Sequence, residues 1–482
     1  MRARSDLGRR TSGRTASTVG ATAFASDPVR SRGGTRFRLF PQPPFLRAFA
    51  RPITVTLSPP AGSVRPGPAD NRMYVVSPLG KRWPYGIVRG RYGSPVAYLP
   101  AWDGPIRPPA MPSARGHFDH ISFGTPEFEA AHAYATVRWV LDVWERYLGR
   151  TIKWHFRRDF GALEISLLPQ FDVGTAGYGF LEIGSDFQHG EARSFALNFD
   201  VIAHEVGHLI IYSLLGVPDA GRETAEYQGF HESAADLVAL IAAAHFDPVV
   251  DELFEISRGN LYVLNELNRF AELSQTTQIR LASNDVRLSE FSAGWSDEHD
   301  LSLPLTGAIF DILVDIFHEL LVERRLIGPA LEDLADRIQR MPEYEHLVQA
   351  GFDQAYAVNP AGFRQAFADA RDLMGRYIAE AWRRLSPDLF TYAEVGAALL
   401  AVDREISGGR YRRLIRVNFD WRGIGGVRVG PWLAPGKVVS HLRSARTVLP
   451  EDQAAMPRLS YRERFLLARS GLRVQGRRGT AR

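Results

Sequence analysis

The chemistry most legible in this chain lies in five residues, His204-Glu205-Val206-Gly207-His208. On an α-helix, residues four apart lie on one face about one turn apart. His204 and His208 can therefore reach one ion, while Glu205 beside the first stays available to take up and return a proton. This HExxH pattern has the mechanics of a metal-activated hydrolase.

The elements that must position these side chains follow downstream. A second helix is expected around Gly229–Leu240, where Glu232 and Asp236 are again four apart among small and apolar residues. A carboxylate on such a surface is costly to bury unless a cation or a donor meets it. The intervening Gly216-Val217-Pro218-Asp219-Ala220-Gly221 ends the first helix and lets the chain reverse. Two antiparallel helices would then bring Glu232 opposite His204 and His208. That gives a two-histidine, one-carboxylate set with a fourth position open, as in catalytic rather than structural zinc sites. Asp236 would accept a hydrogen bond from the distal nitrogen of a ligand imidazole. His231, adjacent to Glu232, points to another side of the helix and reads as structural, and Tyr227 reads as packing.

HEVGH followed by ExxxD on the next helix resembles the gluzincin zinc metallopeptidases, in particular the thermolysin-like and fungalysin-like branch. Phe195–His208 (FALNFDVIAHEVGH) is similar to that family's approach to the zinc helix, and His231–Leu240 (HESAADLVAL) to its glutamate-ligand helix. His299–Asp311 (HDLSLPLTGAIFD) looks like the segment opening with the family's second catalytic histidine. The likeness covers roughly residues 120 to 425. It implies one Zn2+ held by His204, His208 and Glu232, general-base work by Glu205, oxyanion stabilisation by His299, and a peptide or protein substrate. It also implies a strand along the cleft that pairs with extended substrate. Tyr178–Ile183 is the candidate strand, with Tyr178, Gly179 and Phe180 as substrate-binding residues. The asparagine-alanine pair common at this place in thermolysin-like enzymes is not recognisable, so individual substrate contacts are not carried over. Structural Ca2+ and oligomeric state are left open.

Composition narrows the classes. The 482 residues are enough for two to four domains with ample core, and 45% hydrophobic residues is a globular proportion. There is no cysteine, so any metal must be held by histidine and carboxylate. The net charge of +4 is concentrated at the ends, with nine arginines in residues 1–38 and lysine only at 81, 153 and 437. These basic segments lack regularly interleaved aromatics, so no nucleic-acid partner is expected. The start shows no apolar signal core; the compartment is left open, with the cytoplasm expected only if this start is the true one. The most apolar stretch, Val201–Val217, is interrupted by His204, Glu205 and His208, so no membrane span is expected.

The expected fold class is α+β: a small N-terminal sheet with an edge strand lining a cleft, central zinc helices and a mostly α-helical C-terminal lobe. Residues 1–45 read as a disordered basic segment and 46–115 as a Pro/Gly-rich short-strand region or arm. Residues 116–215 form an α+β lobe ending in the zinc helix, 216–425 a helical lobe carrying Glu232 and His299, and 426–482 a basic appendage. Strands are expected at Ile53–Leu57, Met73–Val76, Ala97–Leu99, Leu163–Leu168 and Tyr178–Ile183. Apolar periodicity places helices at Pro126–Leu148 and near 200–215, 230–245, 249–273, 303–324, 329–340, 361–384 and 391–405. The leading expectation is zinc-dependent peptide hydrolysis. The alternatives are a catalytically silent zinc-fold scaffold and a self-processing peptidase with residues 1–115 as its inhibitory segment.

Overall fold

Phe37 and Leu39 alternate with Arg36 and Arg38, the period-2 pattern of a half-buried strand. Gly34–Leu39 (β1) accordingly pairs antiparallel with Ile53–Pro60 (β2). The computed structural model describes residues 33–89, 95–187, 193–262, 269–270, 280–337 and 345–433. β1 corrects the reading of residues 1–45 as disordered: Phe37, Leu39 and Phe40 are fully buried. Arginine-rich composition hid a strand whose outward positions carry the charge. Residues 1–32 and most of the C-terminal appendage, 434–482, lie outside the described residues.

Met73–Val76 (β3), Gly86–Arg89 (β4) and Pro95–Tyr98 (β5) follow, the last two forming a hairpin. Pro126–Leu148 (α1) starts on Thr125, whose hydroxyl accepts the Phe128 N–H, and stops at Gly149, which adopts φ +63°. Leu163–Leu167 (β6), Gly174–Ala176 (β7) and Phe180–Ile183 (β8) complete a four-stranded sheet in the order β3-β6-β8-β7. The first three in that order run parallel, and β7 is antiparallel at the edge. Leu163, Ile165 and Leu167 face the helical core, while period-2 alternation turns Glu164 and Ser166 to the other side.

The remaining helices are Phe199–Leu214 (α2), Ala225–Ala243 (α3), Asp247–Ser257 (α4), Glu298–Glu323 (α5), Pro329–Arg337 (α6), Glu345–Val358 (α7), Pro360–Trp382 (α8), Tyr392–Ser407 (α9) and Arg412–Trp421 (α10). The molecule is thus α+β with a mostly helical C-terminal part. The helix expected to reach residue 273 ends at Ser257, where Arg258 and Gly259 take φ +51° and +98°. α7 and α10 were not foreseen. Each buries only one pair of apolar residues four apart, Val348/Phe352 and Ile415/Phe419, too sparse a stripe to read as periodicity. The lobes share one core: Trp144 of α1 stacks on Trp382 of α8 at 5.1 Å, and Trp139 stacks on Phe246 at 4.1 Å. Among the described residues, no helix is long and apolar enough to cross a membrane.

Candidate metal centre

Local sequence sets the two helices that meet here. Asn198 caps α2 by accepting the Val201 N–H, and Thr224 caps α3 by accepting the Tyr227 N–H. The helices cross at Gly207, where a β-carbon would stand 2.6 Å from Ala235 Cα. Only a glycine lets the backbones approach this closely, and the approach brings the α2 histidines against the α3 carboxylate.

His204 and His208 both present Nε2 to the same point, 3.1 Å apart. His204 Nε2 lies 3.3 Å from Glu232 Oε2, and His208 Nε2 lies 3.6 Å from Glu232 Oε1. Ligand atoms on a tetrahedral ion with bonds near 2.1 Å stand about 3.4 Å apart, so this triangle has the dimensions of a shared metal. Two nitrogens and a carboxylate are also the donor set a borderline divalent ion takes. This group could bind a metal ion.

Each imidazole is held from behind. His204 Nδ1 lies 2.9 Å from Asp236 Oδ1. His208 Nδ1 lies 3.1 Å from His231 Nδ1, and His231 Nε2 lies 3.2 Å from the Tyr227 hydroxyl. His231 and Tyr227, read from the sequence as structural or packing residues, therefore back the second histidine. Burial raises the Glu232 carboxyl, but the neighbouring imidazoles of His299, His208 and His204 outweigh it and hold the group well below the usual carboxylate range.

Glu205 lies beside this group, turned to the sheet rather than to α3. Its Oε2 accepts the Ala176 N–H at 2.6 Å, which ties it to β7. This corrects the substrate-strand expectation. The strand β8, at Phe180–Ile183, is interior, paired with β6 on one side and β7 on the other. Tyr178 is buried with its hydroxyl 2.6 Å from Asp159, and Gly179 packs on the Phe160 ring. The strand that borders α2 is β7, three residues too short to stand out as an alternating run.

His299 enters from α5. Asp297 caps that helix by accepting the His299 N–H at 2.8 Å, and its Oδ1 also lies 2.9 Å from His299 Nδ1. One carboxylate thus ends the helix and aims the ring, whose Nε2 reaches Glu232 Oε2 at 3.2 Å. The His299 hydrogen bond holds the Asp297 carboxyl below its ordinary range, whereas burial raises Glu298. α5 packs on α3 at Gly229, where a β-carbon would stand 3.0 Å from Leu301 Cγ of α5 and 2.1 Å from the hydroxyl of Tyr392, the first residue of α9, which donates to the Leu301 C=O. The His299 side chain is 41% exposed against 9% and 7% for His204 and His208, so the group opens to solvent on the α5 side.

The structure therefore brings together His204, His208, Glu232, Asp236 and His299, ties Glu205 to Ala176 of β7, and leaves Tyr178 and Gly179 buried in the turn between β7 and β8 with Phe180 in an interior strand. No protein-family model and no curated protein matches this chain.

Proposed function

We propose that the chain is a zinc-dependent hydrolase of peptide bonds, as its resemblance to the gluzincin metallopeptidases implies. The observation that carries this reading is the His204–His208–Glu232 triangle, open on one side, with His299 at its rim and Glu205 next to His204 on the same helix. When bound, zinc supplies Lewis acidity toward a carbonyl oxygen and a water molecule. His204, His208 and Glu232 would hold it.

The chain's own groups supply the rest. Glu205 accepts a proton from the water whose oxygen forms the new C–O bond. As the C–N bond breaks, Glu205 passes that proton to the departing amine. The Ala176 amide fixes the orientation of its carboxylate for both transfers. His299, aimed by Asp297, donates a hydrogen bond to the oxyanion that develops on the attacked carbonyl. Asp236 holds His204 in the tautomer that leaves Nε2 to the ion.

The test is hydrolysis of an unfolded protein substrate by the full chain, with and without a chelator. Glu205→Gln should lower turnover about 10²–10⁴-fold while metal content stays unchanged. Turnover that survives both chelation and Glu205→Gln would rule the mechanism out.

A further inference from the structure

Behind His208, three hydrogen bonds run in line from the candidate metal centre to a backbone carbonyl. The Tyr227 hydroxyl donates to Gly216 C=O at 2.7 Å. Tyr227 Oη lies 3.2 Å from His231 Nε2, and His231 Nδ1 lies 3.1 Å from His208 Nδ1. All three side chains are buried; the His231 ring is near-parallel to that of His208, with centroids 5.4 Å apart, and packs against the Tyr212 ring at 4.1 Å.

A carbonyl oxygen can only accept, so the far end of this line sets its direction. Tyr227 donates its one hydroxyl hydrogen to Gly216, which leaves its oxygen to accept from His231 Nε2–H. A neutral His231 protonated on Nε2 carries a lone pair on Nδ1. That lone pair accepts from His208 Nδ1–H, which leaves the His208 Nε2 lone pair bare and directed at His204 Nε2 and Glu232. This proton arrangement is the one a metal-binding imidazole needs.

We propose that His231, backed by Tyr227, is a positioning residue that presets the tautomer and ring orientation of His208 for the metal. The proposal rests on the metal-centre reading given above. The two histidines are then held by different chemistry: a carboxylate on His204 and a neutral relay ending on Gly216 C=O on His208. The α3 sequence encodes the relay by placing Tyr227 and His231 four apart on one helix face.

The test is a titration of the metal-stripped full chain with Co2+, read by visible absorption, and with Zn2+ in competition with a chelator. His231→Leu, which keeps bulk but removes the acceptor, should weaken affinity about 10–100-fold. His231→Asn, whose amide oxygen falls where Nδ1 stood, should restore most of that loss. Tyr227→Phe should give a smaller loss than His231→Leu. A folded His231→Leu protein that binds as tightly as the parent would overturn the proposal and leave the metal centre intact. Equal loss in His231→Leu and His231→Asn would also overturn it, because packing rather than the hydrogen bond would then be responsible. A parent chain that binds neither ion would overturn both readings.

Discussion

Two of the places where the molecule buries charge are built to opposite ends. At the α2–α3 crossing, His204, His208 and Glu232 converge on one point and open toward α5. Behind the sheet, Lys81 Nζ sits 2.7 Å from Glu182 Oε1 with both side chains fully buried. There the Tyr85 N–H donates to Glu182 Oε2. The Tyr74 and Tyr85 hydroxyls, the Ser166 hydroxyl and the Trp102 N–H all donate to Glu164, and the Lys81 ammonium lies over the Tyr85 ring. This second cluster carries its own cation and a full set of donors. The first has three acceptor-capable atoms converging on one point. A buried cluster that closes on itself holds the arm over the sheet; one that converges with a side left open could bind a metal ion.

The largest effect expected from this contrast is in the closed cluster. Lys81→Met leaves two buried carboxylates without their cation and should destabilise the fold by about 3–5 kcal/mol in denaturant unfolding, with metal affinity unchanged. The loss should depend on pH. Burial pushes the Glu182 carboxyl up to about 7 against the pull of Lys81. Without Lys81 the folded-state value rises further, so the folded variant gains a proton that the unfolded chain does not bind until lower pH. The gap between parent and variant is therefore widest above the variant's raised value and narrows as pH falls from there toward about 7, the parent's value. A gap that widens on acidification would contradict the assignment of the buried charge.

In the open cluster, Asp236→Ala should weaken metal affinity about 10–100-fold with little change in unfolding of the metal-free chain. An effect on stability alone would make Asp236 a core residue rather than the partner of His204. Smaller still, Gly207→Ala should cost about 1–3 kcal/mol by overpacking, because its methyl meets Ala235 backbone. It should also weaken metal binding by spreading the helices. Retained affinity after Gly207→Ala would show that the close crossing is not what sets the ligand distances.

The open cluster was legible in the sequence because helical spacing encodes it. His204/His208 and Glu232/Asp236 are each four apart, and Gly216 with Pro218 marks the reversal between their helices. α1 was equally plain, with its proline start, glycine stop and long apolar stripe. The closed cluster was not legible: Lys81, Glu164 and Glu182 are far apart in the chain, and no period links them. The same holds for Ala176 and Glu205, which meet because β7 turns back on β8 as an edge of only three residues. His231 was read as structural because a residue next to Glu232 points away from the ion. That direction carries it to the rear nitrogen of His208, a contact set by the helix crossing rather than by either helix alone.

The account depends most directly on how many ions the full chain takes up and where. Native mass spectrometry after addition of Zn2+ should find one ion per chain, and His204→Ala combined with His208→Ala should abolish uptake while the chain stays folded. An unmetallated parent chain, or undiminished uptake by the double variant, would contradict it.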